Sequence, residues 1–151
     1  VGLAGLANPG KLCGDADSFT LVDVSKRPYR AVQHVSVPSL PEGIAISPNG
    51  RWIAVQAMDG SNLTPDNPGR RARGRMLLFE IKNGQAVQSA NLPGGEAGQG
   101  VVFTADNRHV LAQYNVEKQI AVFAVNDGKL ADTGARIEVS GGPSSIRSMP
   151  R

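Results

Sequence analysis

The chain repeats itself, and no other feature limits its possible folds so tightly. The segment Gly43–Gln56 (GIAISPNGRWIAVQ) returns with conservative exchanges as Gly100–Gln113 (GVVFTADNRHVLAQ), and Leu77–Gly84 (LLFEIKNG) returns as Ala121–Gly128 (AVFAVNDG). Self-similarity at a period of roughly 40–50 residues marks supersecondary units that bury their apolar faces only by stacking, as β-propeller blades do.

Within each block the apolar residues follow a period of two. Ile44 and Ile46, then Trp52 and Ala54 alternating with Ile53 and Val55, read as strands buried on both faces. Between them Ser47-Pro48-Asn49-Gly50-Arg51 reads as a tight hairpin turn in which Pro sets φ and Asn-Gly accepts positive φ, with Thr104–Arg108 as its counterpart. A second hairpin follows in each unit, where Leu77–Ile81 turns through Lys82-Asn83-Gly84-Gln85 into Ala86–Leu92. Four strands per unit result: a (43–47), b (52–58), c (75–81) and d (86–92), then 100–104, 109–114, 119–125 and 130–139. Ser18–Val24 and Ala31–Val37 fit strands c and d of an earlier unit, with Val1–Ala7 as its strand b, and Pro143–Ile146 opens a further strand a. The expected organisation is a single propeller segment over 1–151: a partial blade over about 1–37, a blade over 43–92 with a b–c insertion at 59–74, a blade over 100–139 and the start of another at 143–151.

Composition agrees with short strands and tight turns. Eighteen Gly and ten Pro accompany few aromatic residues, 5%, and a modest charged fraction, 19%. No apolar stretch approaches the roughly 18 residues of a membrane span, so the chain as given is expected to be soluble. The lone Cys13 has no partner for an internal disulfide and reads as an unreactive thiol. The missing initiator Met suggests processing or trimming.

The run Pro41–Val55, together with a c strand ending in an apolar-acidic-apolar triplet such as Leu21-Val22-Asp23-Val24, resembles the bacterial YVTN/lactonase-like β-propellers over about residues 18–151. One departure is Met58, where that family often has the asparagine seen here as Asn115. The resemblance implies a propeller fold and a periplasmic or exported protein, and is compatible with lactonases, cytochrome-linked oxidoreductase relatives and surface-layer repeats alike. About three blades cannot close a ring, which needs roughly four or more. The chain is therefore expected to be a fragment of a longer propeller, or else to complete its split blades between copies; open blade edges favour such self-association.

Candidate chemistry gathers at the insertion. The first unit exceeds the second by the polar stretch Asp59–Gly74, which carries Arg70, Arg71 and Arg73, with Arg75 entering the next strand. With 16 Lys and Arg against 13 Asp and Glu in the whole chain, these four arginines account for the positive balance. Guanidinium groups pair bidentately with carboxylate or phosphate, so the loop reads either as an anion contact or as a solvated loop whose arginines serve solubility. No aromatic residue is interleaved, which weighs against specific nucleic-acid recognition. In a propeller the b–c and d–a connections share one face, which would place the loop on a rim with Glu42, Glu96, Gln99 and Ser144. Arg70, Arg71, Arg73, Glu96 and Gln99 are the candidate ligand contacts; Glu42, Glu96 and His109 are the candidate acid–base groups.

No His/Cys/Asp/Glu spacing suggests a metal, the Gly-rich link Pro93–Gly100 precedes no helix, and no Gly-x-Ser-x-Gly elbow occurs. No cofactor is expected. Asn62-Leu63-Thr64 matches a glycosylation acceptor, with chance as the simpler reading. The main expectation is a non-catalytic scaffold binding a protein or small anionic ligand on its rim. Its rivals are a lactonase-like hydrolase or cycloisomerase of the 6-phosphogluconolactonase/muconate-lactonizing type, with Glu42 or Glu96 as base, and a cell-envelope structural repeat.

Overall fold

The computed structural model describes residues 16–148, and among them every regular element is a β-strand. In chain order these are β1 (Ala16–Asp23), β2 (Arg30–Pro38), β3 (Pro41–Ile46), β4 (Trp52–Ala57), β5 (Arg75–Lys82), β6 (Gln85–Pro93), β7 (Gly98–Phe103), β8 (His109–Tyr114), β9 (Gln119–Asn126) and β10 (Lys129–Glu138). Two four-stranded antiparallel sheets, β3-β4-β5-β6 and β7-β8-β9-β10, stand beside a two-stranded sheet, β1-β2. The strand expected at Val1–Ala7, and Cys13, lie outside the described residues.

The repeat is visible in the turns that join the first two strands of each sheet. Ser47 Oγ donates to Asn49 Oδ1 (2.7 Å) and accepts from Trp52 N (2.9 Å), while Asn49 Oδ1 also accepts from Arg51 N (3.0 Å). Thr104 and Asp106 make the same three bonds, at 2.6, 3.0 and 3.0 Å, with His109 and Arg108 as donors. Positive φ falls on Gly50 and on its counterpart Asn107, not on Asn49. Asn49 therefore acts through its side chain, and the expected positive φ at both residues of the Asn-Gly pair is corrected. The other hairpins do turn on paired positive φ, at Asn83-Gly84 and Asp127-Gly128, which matches the right-handed twist of the flanking strands. Asp106 illustrates the electrostatics of such a turn: the Thr104 hydroxyl, then the backbone N–H and guanidinium of Arg108, hold its carboxyl well below the usual carboxylate range.

Two apolar layers stack the sheets. One face of β3–β6, with Trp52, Ala54, Met76 and Leu78, packs on Val101, Phe103, Val110, Ala112, Ala121 and Phe123 of the second sheet. The opposite face, with Ile53, Val55, Leu77 and Phe79, packs on Phe19, Leu21, Val35 and Val37. Phe19 meets Phe79 edge to face, centroids 5.1 Å apart. The first strands β3 and β7 touch, and the last strands β6 and β10 touch at the other side, so each sheet runs outward from a shared inner edge. The inner contact is close enough to require glycine: a Cβ on Gly43 would sit 2.3 Å from the Gln99 carbonyl oxygen. These are blades of a partial β-propeller.

One burial expectation is corrected. Ile44 and Ile46 share a face with Val55 and Ile53 through the β3–β4 register, yet they are 53% and 63% exposed. The β1-β2 sheet covers the middle and outer strands of that face and leaves the inner strand open.

Candidate functional site

The b–c insertion folds onto the next blade's connection. Gly74 N donates to Gly95 O (2.9 Å), Gly94 N to Gly74 O (2.8 Å), and Ala97 N to Ser61 Oγ (3.0 Å). Asp59, Gly60, Ser61 and Asn67 are buried, so the stretch is a built part of the rim and not a solvated loop throughout. The Asn62 amide atoms are buried as well, which removes the glycosylation reading.

The arginines are not equivalent. Arg70 points inward, pairing with Glu96 and donating to the carbonyl oxygens of Ser61 and Arg71. Its guanidinium and the Glu96 carboxylate thus occupy each other. The Glu96 backbone N–H in turn donates to Glu117 Oε1 (2.8 Å). Arg71 and Arg75 flank the buried carboxylate of Asp59, with Nε 3.5 and 3.4 Å from Oδ1 and Oδ2. Arg73 is exposed and makes no ion pair among the described residues.

Behind this rim Tyr114 is 2% exposed, its ring against Gly95, where a Cβ would lie 2.1 Å from Cγ. Burial first, and then the Asp132 carboxylate, pushes its hydroxyl well above the usual phenol range, so it acts as a neutral group. Asp132 accepts both terminal nitrogens of Arg136 (2.8 and 2.7 Å), and that pairing lowers the acid and raises the base.

The cavity between the inner strands gathers a second set of polar groups. It measures about 190 Å³ and is lined by Glu42, Gly43 and Ile44, by Gly100 and Val101, and by Ser144, Ser145 and Arg147 of the segment that follows the second blade. Gln113, buried at the end of β8, donates from Nε2 to Ser145 O (3.0 Å), and Asn115 Nδ2 reaches Pro143 O (3.4 Å), which together fix that segment. Glu42 is exposed and makes no ion pair among the described residues. A residue with a carboxylate, one with a guanidinium, which also donates to Ile146 O (2.8 Å), and two with hydroxyls thus line one space.

Of the residues singled out from the sequence, Arg70 meets Glu96, and Glu42 and Ser144 line one cavity; Gln99 presents its backbone carbonyl to Gly43. His109 lies at the far end of β8 from Tyr114, about 17 Å along the strand, hydrogen bonded into the opposite turn. It does not join the rim. Nothing local in the sequence marks Arg147, Ser145, Asp59 or Glu117 as site residues; Gln56 and Gln113, polar at the same place in both repeats, are the one sequence signal of where the blades are joined. Among the described residues no group of three or more His, Cys, Asp or Glu side chains is placed to hold a metal ion, and no helix is long and apolar enough to cross a membrane.

No protein-family model and no curated protein sequence matches the chain. Solved structures do. A candidate 6-phosphogluconolactonase from Bacteroides fragilis superposes with a TM-score of 0.67 at 16% identity, over 85% of this chain and 35% of that one. A second candidate 6-phosphogluconolactonase, from Bacteroides uniformis, gives 0.66 at 18% identity over 83% and 35%. Hydrazine synthase from Kuenenia stuttgartiensis gives 0.62 at 18% identity over 85% and 32%. The chain therefore spans about a third of the length of these structures. At such identities the likeness establishes the fold alone, a partial β-propeller. The expectation of a non-catalytic scaffold is corrected, because the first two structures that share this blade arrangement are named for catalysis.

Proposed function

We propose that the chain forms part of a lactonase-like propeller hydrolase, of the YVTN-like type that its repeats resemble, acting on an anionic lactone at the inner cavity. The carrying observation is the placement of an unpaired carboxylate, Glu42, in one cavity with Arg147, Ser144 and Ser145. Glu96 is the less available carboxylate because Arg70 already occupies it. In the proposed reaction Glu42 takes a proton from water as the water oxygen bonds to the lactone carbonyl carbon. Arg147 and a serine hydroxyl balance charge on the substrate's anionic group and the carbonyl oxygen. The ring C–O bond then breaks, and the proton passes from Glu42 to the leaving alkoxide, giving the hydroxy acid. An exported or periplasmic setting belongs to the same proposal and rests on the resemblance.

The test is turnover of a panel of δ-lactones by the complete polypeptide. Glu42→Gln is expected to lower kcat by about 10²-fold or more, the usual contribution of a positioned general base, and Arg147→Ala to raise KM for anionic lactones. Absence of turnover across the panel, or a Glu42→Gln variant as active as the parent, would remove the reading.

A further inference from the structure

A second cavity on the rim is built around arginines. It measures about 300 Å³ and is lined by Asp59, Arg71, Ala72, Arg73, Gly74, Arg75 and Pro93. It opens at β5 and β6, two strands outward from β3 and so about 10 Å from the inner cavity. Left to repulsion, exposed arginines would point apart. Here the Asp59 carboxylate, only 9% exposed, is shared by two of them. Asp59 is itself fixed: it takes a φ of 48°, and its N–H donates to Ser39 O (2.9 Å).

Both ion pairs run through Nε at 3.4–3.5 Å and neither is a hydrogen bond, so beyond the charge of Asp59 the guanidinium N–H groups of Arg71 and Arg75 make no hydrogen bond among the described residues. Arg73, on the same wall, makes no ion pair or hydrogen bond among the described residues, with the Asp132 carboxylate in electrostatic reach. Their side chains are accessible, 55% for Arg71 and 37% for Arg75. Three guanidinium groups against one carboxylate leave the cavity with a surplus of positive charge and of planar N–H forks. A single carboxylate ligand would satisfy one fork, whereas a tetrahedral dianion presents oxygens to several.

We infer that this cavity is a binding site for a phosphate group, carried either by inorganic phosphate or by a phosphomonoester. It stands apart from the inner cavity and does not depend on the hydrolase proposal, since its readout is binding and not turnover.

The experiment is calorimetric titration of the complete polypeptide with inorganic phosphate and, separately, with glucose 6-phosphate. Saturable binding is expected, weakened about tenfold by Arg71→Ala and again by Arg73→Ala, as the loss of charge-assisted hydrogen bonds implies. Arg71→Lys keeps the charge and loses the fork, and should also weaken it. Arg108→Ala, in the turn at the opposite end of the blades, should leave affinity unchanged. Tighter binding of glucose 6-phosphate than of phosphate assigns the site to a phosphomonoester, and the reverse assigns it to free phosphate. No saturable binding of either, or equal affinity in the folded Arg71→Ala/Arg73→Ala/Arg75→Ala variant, overturns the inference.

Discussion

Gln56 offers the sharpest test of how the blades are joined. It is the penultimate residue of the otherwise apolar strand β4, is 1% exposed, and donates from Nε2 to the Gln113 carbonyl oxygen of the next blade at 2.7 Å, while its own Oε1 is buried without a partner among the described residues. The amide therefore contributes two opposed effects. A hydrogen bond of this kind is worth about 1 kcal/mol net, and an unsatisfied buried oxygen costs about 1–3 kcal/mol. Gln56→Met keeps the volume and removes both, so the unfolding free energy should range from unchanged to about 2 kcal/mol higher. Gln56→Ala removes the bond and also leaves a void between the sheets, and should cost about 2–4 kcal/mol. Urea denaturation of the two variants and the parent, at equal m-value, separates these. If Met proved as costly as Ala, the hydrogen bond would outweigh the orphaned oxygen, and the balance argued here would be wrong.

Further measurements address the open face and the acid response. Ile46→Ser, on the uncovered part of β3, should change stability by no more than about 0.5 kcal/mol, whereas Ile53→Ala, across the register on the covered part, should cost about 2–5 kcal/mol; equal losses would mean that the inner strand is covered after all. Asp132 has its folded-state pKa lowered by Arg136, so its contribution is full above the unfolded value near 4 and is lost as pH falls toward the folded value. The urea midpoint of the parent should therefore drop more steeply below pH 4 than that of Asp132→Asn, and parallel curves would refute the assignment.

How far the sequence announces this molecule depends on whether a feature is local. The hairpins are, because Asn83-Gly84 and Asp127-Gly128 need only their own φ angles, and Ser47/Asn49 and Thr104/Asp106 bond within a few residues. Alternating apolar residues then give four strands per sheet, and the all-β antiparallel class follows. The candidate site is a different case. Arg70, Arg71, Arg73 and Arg75 are interchangeable as letters, yet one is tied to a glutamate 26 positions along the chain, two share an aspartate at the start of the insertion, and one is left unpaired. What sorts them is the fold of 59–74 over the Gly94–Ala97 link, including positive φ at Asp59 and Ala97, which no propensity of those residues demands. Exposure of Ile44 and Ile46 is hidden for the same reason: their pattern is that of a buried strand, and only the reach of the neighbouring sheet decides which part of it is covered. Repetition thus encodes each blade, while the unrepeated insertion and the blade-to-blade contacts encode what makes one rim chemically distinct from the next, and that is where Glu42, Arg147 and the Asp59 arginines become functional candidates.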